Sequence, residues 1–275
     1  MAARQIVLIT GGNTGIGYEV VKALYAAATP YEILMGSRKI ENGEQAIEKL
    51  KQEVKESSST VSVVQADVCS DESLDKLVGD IESKQGKLDV LINNAGAGFD
   101  GQIRDKKMSI REAFNASWDT NVSGTHVLTT LAMPLLIKSS NPRLLFVTSG
   151  TSSLIETELM EGIHGRINAA PDAGWPKSGQ LNPLTSYRST KTGLNMLMKE
   201  WDRILRNDAV KVWAISPGFL ATGLGGVGSD VLKKMGAQDP SVGGQFIKDV
   251  VEGKRDEYQG KIVRSDFFGT PVQPY

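Results

Sequence analysis

The 275-residue sequence has almost no cysteine and no long apolar run. Its single cysteine, Cys69, excludes a disulfide bond within the chain and is typical of a reducing compartment. No stretch approaches the roughly 18 uninterrupted apolar residues of a membrane-spanning helix. The first ten residues also lack the apolar run and cleavage site of a secretory signal. We therefore expect a cytoplasmic protein that neither spans nor binds a membrane.

An excess of either charge is also missing. The chain has 31 lysines and arginines against 32 aspartates and glutamates, which leaves a net charge of −1. This balance removes the usual electrostatic basis for binding nucleic acid. We therefore expect a small-molecule substrate and no nucleic-acid partner.

Histidine is nearly absent, and this limits two classes of catalysis. Only His126 and His164 are available as bases, and Ser149 lies in "VTSGTS", which lacks the G-x-S-x-G turn of many serine hydrolases. No group of histidine, cysteine and carboxylate residues has the spacing of metal ligands. We therefore expect neither a serine hydrolase nor a metal site.

Short β-branched runs alternate with longer helical stretches along the chain. The predicted strands are "RQIVLIT", "YEILMGS", "TVSVVQADV", "LDVLINNAG", "RLLFVTSG", "VKVWAISPG" and "GKIVRS". Most are apolar without polar alternation, which indicates strands buried on both faces. The βαβ order predicts a doubly wound parallel sheet, the Rossmann fold, in a single dinucleotide-binding and catalytic domain over residues 1–275.

One long irregular stretch, residues 151–183, interrupts this alternation. It is rich in glycine and proline, and loops of this length inside a domain usually have a function or are mobile. Two interpretations stay open, a lid over the substrate or a cover on the outside of the following helix. A cover could block pairing between subunits, so the sequence leaves monomer and homo-oligomer undecided.

A glycine-rich turn joins the first strand to the first helix. In "TGGNTGIG", glycines at 11, 15 and 17 allow a tight turn and a close approach of the backbone to a pyrophosphate. The helix start adds free N–H groups and a partial positive charge. The turn therefore predicts a phosphate site made by Gly11, Asn13, Gly15, Ile16 and Gly17. The alternative is a βα turn that binds nothing.

The end of the second strand, "MGSRK", bears on cofactor choice. An NAD-selective site usually has an acidic residue there, whereas this chain has Ser37 and Arg38. A small hydroxyl leaves room for a 2′-phosphate, and a guanidinium can bind it through paired hydrogen bonds. We therefore expect NADP(H), the alternative being that Arg38 is a solvated loop residue.

Further motifs follow in order along the chain: "DV" at 67–68, "NNAG" at 93–96, Asn121, Ser149, Tyr187 with Lys191, and "SPGFLAT" at 216–222. With the glycine-rich turn, this ordered set resembles the short-chain dehydrogenase/reductase superfamily, in its NADP-dependent carbonyl-reductase-like branch. The resemblance extends from Gln5 to about Ser265. It implies an oxidoreductase that transfers hydride between NADP(H) and a carbonyl or alcohol substrate.

The resemblance also implies a role for each catalytic residue. Tyr187 would be the general acid/base, with Lys191 lowering its pKa and binding the ribose. Ser149 would orient the carbonyl oxygen, and Asn121 would hold a water that connects Lys191 to solvent. Asn121 lies in a helix predicted from about residue 109 to 138, three residues from Trp118 on a face expected to point inward. The rival interpretation is a noncatalytic NADP-binding sensor or scaffold.

The remaining contacts implied by the resemblance are to the cofactor. Besides Tyr187 and Lys191, they are Asp67 and Val68 at the adenine, Asn94, Ala95 and Gly96 along the ribose and diphosphate, and Pro217, Gly218, Leu220 and Thr222 at the nicotinamide. The segment after Thr222 is expected to be a flap that is mobile without ligand. Phe99, Trp175 and Phe219 are expected to line a site for a sizeable apolar substrate.

Overall fold

The computed structural model describes residues 4–175, 177, 184–265 and 269–275. Within them, seven parallel strands form one sheet in the order β3-β2-β1-β4-β5-β6-β7. The strands are β1 (Gln5–Ile9), β2 (Tyr31–Ser37), β3 (Thr60–Gln65), β4 (Val90–Asn93), β5 (Arg143–Val147), β6 (Lys211–Ser216) and β7 (Ile262–Arg264). Every strand predicted from the sequence is present.

Helices connect the strands. They are α1 (Gly15–Tyr25), α2 (Ile40–Glu53), α3 (Asp71–Gln85), α4 (Asp100–Arg104), α5 (Ile110–Trp118), α6 (Gly124–Leu136), α7 (Gly162–Asn168), α8 (Thr185–Ile204), α9 (Ser229–Lys234) and α10 (Pro240–Val251). Short 3₁₀ turns lie at Gly150–Ser152, Ile155–Glu158, Leu224–Gly226 and Asp256–Tyr258. None of the helices described is long and apolar enough to cross a membrane.

The core is divided by the sheet into two layers. Alternate residues of β1 enter opposite layers, since Leu8 packs with α3, α6 and α8, whereas Ile9 packs with α1, α2 and α10. The two layers are apolar because a parallel strand between helices has both faces buried. This is the doubly wound parallel sheet predicted from the sequence.

The strand order reverses between β1 and β4, which are neighbours in the sheet. The chain therefore crosses over in opposite directions on the two sides of this point, and a crevice opens at the carboxyl ends of the two strands. The glycine-rich turn follows β1, and the "NNAG" segment begins at the last residue of β4. Both motifs thus lie at the edge of the crevice.

A π-helical turn, Asp119–Ser123, joins α5 to α6 in one continuous helical stretch. The helix expected over residues 109–138 is present, and Asn121 points inward as expected, but Trp118 does not share its face. Asn121 is fully buried, whereas Trp118 is 45% exposed. The wider turn changes the rotation between these residues, so the 3.6-residue spacing that placed them on one face does not apply. Pairing them was wrong.

The described part of the segment 151–183 packs on the outside of α8. Arg188 of α8 donates from Nε to the Thr151 carbonyl (3.0 Å) and from Nη2 to Oδ1 of Asn168 (3.1 Å). Residues 176 and 178–183 of the predicted element lie outside the described residues, so lid and cover both stay predictions. Trp175 is 77% exposed and does not line the crevice, contrary to expectation.

Candidate active site

The glycine-rich turn is shaped by contacts that only glycine permits. Gly11 and Gly15 have φ of +62° and +56°, in the left-handed region that L side chains rarely adopt. A Cβ at Gly17 would collide with the Gly11 carbonyl oxygen. Asn94 closes the turn from the other side, since its Nδ2 donates to the carbonyl of Thr10 at 2.8 Å and that of Gly11 at 3.2 Å.

The start of α1 faces the crevice. Thr14 occupies the N-cap, but no side-chain capping bond is formed among the described residues, and the first turn contains no acidic residue. The first N–H groups of a helix have no partner within the helix and bind anions well. Gly15, Ile16 and Gly17 therefore supply a cradle that suits a phosphate group.

The crevice is a cleft of about 650 Å³ that brings together most of the predicted site residues. Those on its wall are Gly11, Asn13, Gly15, Ile16, Gly17, Ser37, Arg38, Asp67, Val68, Asn94, Ala95, Gly96, Tyr187, Lys191 and Thr222. Five predicted residues do not line it: Asn121, Ser149, Pro217, Gly218 and Leu220. Phe99 does line it, and Phe219 does not.

The loop 217–222 meets the cleft at Thr222 only. Leu220 is buried against α10, where its side chain fills the space next to Gly243. Its backbone pairs with Gln238, and Ala221 donates to the Gln238 carbonyl at 2.9 Å. Pro217, Gly218 and Leu220 therefore shape the loop from behind, and their predicted contact with a cofactor stays a prediction.

The end of β2 presents two cations to the cleft. Ser37 is buried, and its hydroxyl donates to the Lys39 carbonyl at 2.7 Å. Arg38 and Lys39 are exposed and line the cleft, as does Asn42. Sequence reasoning named Arg38 and missed Lys39, although lysine is the next letter of "MGSRK". Two adjacent cations and no carboxylate at this point suit a doubly charged phosphate.

Tyr187 and Lys191 lie one turn apart on α8, at the carboxyl ends of β4 and β5. Tyr187 is half-buried and hydrogen-bonds with Ser149, which follows β5. Lys191 is buried, and its Nζ donates to the Val147 carbonyl at 2.8 Å. The same Nζ lies 5.8 Å from the centroid of the Tyr187 ring. The structure thus groups these three predicted residues.

Asn121 joins the same group from behind the cleft wall. Its Oδ1 accepts from the Ala97 N–H (2.8 Å), and its Nδ2 donates to the Ala97 carbonyl (2.8 Å) and to Oγ1 of Thr190 (2.9 Å). A Cβ at Gly96 would lie 3.0 Å from Oδ1 of Asn121 and 3.2 Å from Nζ of Lys191. Both polar atoms therefore face the bare α-carbon of Gly96.

Burial changes the proton affinities of the two residues on α8. It raises the pKa of Tyr187 to about 12, and the hydrogen bond with Ser149 opposes this rise. Burial also lowers the pKa of Lys191 to about 8. Lys191 is not among the causes of this shift, so the expectation that it acidifies Tyr187 stays a prediction. The ammonium is bound to the Val147 carbonyl.

Asp100 is a site residue that sequence reasoning missed. This buried carboxylate accepts from the backbone N–H of Ser186 (2.8 Å), from the Ser186 hydroxyl (2.8 Å) and from the N–H of Tyr187 (3.1 Å). Leu184 occupies the N-cap of α8 and has no polar side chain to cap the helix. Asp100 therefore caps α8 from 86 residues away, a contact with no local signal in the sequence.

Comparison with known proteins shows the family. Residues 5–160 match the family model described as short chain dehydrogenase. The short-chain dehydrogenase/reductase tropE of Talaromyces stipitatus is 41% identical over 275 residues, covering 100% of this chain and 99% of that protein. The short-chain dehydrogenase/reductase eupG of a Phoma species is 44% identical over 279 residues, with 98% and 97% covered.

Solved structures show the same fold. An NADPH-bound carbonyl reductase from chicken fatty liver superposes with a TM-score of 0.75 at 20% identity, covering 99% of this chain and 100% of that one. The carbonyl reductase Sniffer of D. melanogaster superposes with a TM-score of 0.71 at 23% identity, with 99% and 100% covered. The chain belongs to the short-chain dehydrogenase/reductase family of oxidoreductases, which use nicotinamide cofactors and small-molecule substrates.

Proposed function

We propose that the protein transfers hydride between NADP(H) and a carbonyl or alcohol substrate, with Tyr187 as the general acid/base. The observation that carries the proposal is that Tyr187, with Ser149 beside it, and Lys191 share one cleft with the phosphate cradle and Arg38. One site thus combines a proton donor with groups that suit a dinucleotide.

The described residues fit such a cofactor. The open N–H groups at the start of α1 suit the pyrophosphate, and Arg38 with Lys39 suits a 2′-phosphate. Asp67 and Val68 line the part of the cleft proposed for the adenine, and Thr222 lies near the proposed place of the nicotinamide. Once bound, NADPH supplies the hydride that the protein itself cannot provide.

The protein's own part is to position groups and move a proton. In the reductive direction, Tyr187 donates its phenolic proton to the carbonyl oxygen. Ser149, which hydrogen-bonds with Tyr187, orients that oxygen. Lys191 and Asn121 both face Gly96, so a water beside this residue would connect the ammonium to Asn121 as a proton relay.

The pKa of Tyr187 keeps a proton available for this direction of transfer. A pKa near 12 keeps the phenol protonated at neutral pH, so Tyr187 is ready to donate. In the oxidative direction the phenol must first lose its proton. The positive charge of the oxidised nicotinamide would favour the phenolate, and its effect would be strong where water is excluded.

Turnover is tested with NADPH and a panel of ketones and aldehydes, followed by loss of NADPH absorbance. We expect wild-type protein to oxidise NADPH with some of them, and Tyr187→Phe to bind NADPH but turn over at least about 100-fold more slowly. Tyr275→Phe, which keeps Tyr187, is the matched control. Binding without turnover in the wild type would instead favour the noncatalytic sensor.

Cofactor choice is tested separately with Arg38→Asp. We expect the KM for NADPH to rise by about 10- to 100-fold, because a charge-assisted hydrogen bond is lost and a carboxylate then faces the phosphate. The KM for NADH should stay the same or fall. Arg203→Asp makes the same charge change on the exposed end of α8 and should alter neither value. Equal effects of the two variants would refute the role of Arg38.

A further inference from the structure

The last described residues, 269–275, are here called the tail. They return to the sheet and reach the back of the candidate active site. Val272 pairs antiparallel with Val263 of β7, and the N–H of Gln273 donates to the Ile262 carbonyl at 2.8 Å. The N–H of Arg264 donates to the Pro271 carbonyl at 2.9 Å. The tail is thus attached to the edge of the sheet by backbone hydrogen bonds, which hold Gln273 in a fixed place.

Gln273 is fully buried beneath Ser149. Its Nε2 donates to the Ser149 carbonyl at 3.1 Å and lies 3.3 Å from Oγ of Ser152. The same Ser149 carbonyl accepts from the N–H of Ser152 at 3.2 Å and from its hydroxyl at 2.6 Å. Three donors from two separate parts of the chain therefore hold the peptide that carries Ser149.

The contacts continue to the backbone of α8, the helix that carries Tyr187 and Lys191. Asn195 donates from Nδ2 to Oγ of Ser152 (2.9 Å) and accepts at Oδ1 from the Thr148 hydroxyl (2.6 Å). Thr148 also lies within hydrogen-bonding distance of the Lys191 carbonyl (3.2 Å). Gln273 therefore belongs to a buried polar network, here called the tail network, of Gln273, Ser152, Asn195 and Thr148.

We propose that Gln273 is a positioning residue, which fixes the Ser149 peptide and so aims the Ser149 hydroxyl at Tyr187 and the substrate. The inference rests on the proposed function. It assigns to the tail a part in the reaction, although no residue of 269–275 lines the cleft. Small displacements at a reacting centre are enough to cost about 100-fold in rate, so a contact of this kind has a measurable effect.

Stability alone does not account for a glutamine here. Its Oε1 is buried and has no hydrogen-bond partner among the described residues, which is a cost that an apolar side chain would avoid. The Ser149 carbonyl would keep two donors from Ser152 if Gln273 were replaced. Gln273→Met, similar in length and without the amide, should therefore keep or slightly raise the melting temperature.

The test compares Gln273→Met with wild type and with Tyr275→Phe. The control removes a tail hydrogen bond, from the Tyr275 hydroxyl to the Gly260 carbonyl at 3.4 Å, that lies outside the tail network. We measure kcat and KM with saturating NADPH, NADPH affinity by fluorescence, and the melting temperature. We expect Gln273→Met to lower kcat by about 10- to 100-fold with NADPH affinity unchanged. Tyr275→Phe should match the wild type.

A pH profile separates positioning from a merely structural role. The hydrogen bond with Ser149 lowers the pKa of Tyr187. If Gln273→Met misplaces Ser149, that pKa should rise, and the acidic limb of the pH–rate profile for alcohol oxidation should move to higher pH. A fall in melting temperature with kcat and the pH limb unchanged would overturn the proposal. Absence of turnover in the wild type would instead overturn the proposed function, so the two failures are distinguishable.

Discussion

Replacing Asp100 by alanine should destabilise the protein through the helix that holds Tyr187. The change leaves the N–H groups of Ser186 and Tyr187 and the Ser186 hydroxyl without their acceptor. Loss of a helix cap costs about 0.5–2 kcal/mol, and a buried donor left without a partner costs about 1–3 kcal/mol. Since some of these donors regain water, we expect a total loss of about 2–4 kcal/mol.

Urea unfolding, followed by tryptophan fluorescence, measures this loss, since Trp201 and Trp213 are buried in the folded chain. With a denaturant slope of about 3 kcal/mol/M, the midpoint should fall by about 1 M for Asp100→Ala. Asp100→Asn keeps one acceptor oxygen and should fall by about half as much. Asp105→Ala, five residues further along, removes a carboxylate that is 43% exposed and should stay within about 0.5 kcal/mol of wild type.

Two results would refute the reasoning about Asp100. If Asp100→Ala unfolds at the same urea concentration as Asp105→Ala, the carboxylate does not hold the start of α8. If Asp100→Asn is as damaging as Asp100→Ala, the acceptor oxygen is not the important feature. A cap acts through its oxygen atoms, so the order alanine, asparagine, aspartate is the expected order of increasing stability.

Three more outcomes are expected from the geometry. The pKa of Lys191 is 10.5 in the unfolded chain and about 8 in the folded protein. Between these pH values the unfolded state binds the proton and the folded state does not. The free energy of unfolding should therefore increase by up to about 3 kcal/mol as the pH rises from about 8 to 10.5. Urea unfolding of wild type and Lys191→Met across this range should show the difference. Gly96→Ala crowds Asn121 and Lys191, so turnover should fall while the fold persists, as circular dichroism would show. Gly124→Ala would collide with the Val68 carbonyl and should lower the melting temperature by several degrees, unlike Gly79→Ala, which has open space.

The sequence predicted the sheet and the tight glycine turn after β1 because both have local signals. An apolar run such as "QIVLI" indicates a strand buried on both faces. The turn after it needs glycine at positions 11, 15 and 17, where a side chain would be strained or would collide. Arg38 was expected at the cleft, and lines it, because it directly follows the second strand; its contact with a cofactor stays a prediction. Each of these inferences needs only a few consecutive residues.

What the sequence did not predict depends on residues far apart in the chain. Asp100 meets α8 across 86 residues, and Gln273 meets Ser149 across 124. No periodicity links such pairs, because they become neighbours only when the sheet is assembled. The exposure of Trp118 was missed for a different reason, since a π turn replaces the 3.6-residue repeat that placed it on the same face as Asn121.

The raised pKa of Tyr187 follows from the same assembly and bears on how the proposed reaction is controlled. Burial pushes both Tyr187 and Lys191 toward their neutral forms, because neither charge is solvated well at the end of the cleft. In such a place a new positive charge acts more strongly than it would in water. The proton affinity of Tyr187 should therefore depend on whether the nicotinamide is oxidised or reduced. A phenol that holds its proton beside the neutral ring and releases it more easily beside the charged ring matches the needs of both directions.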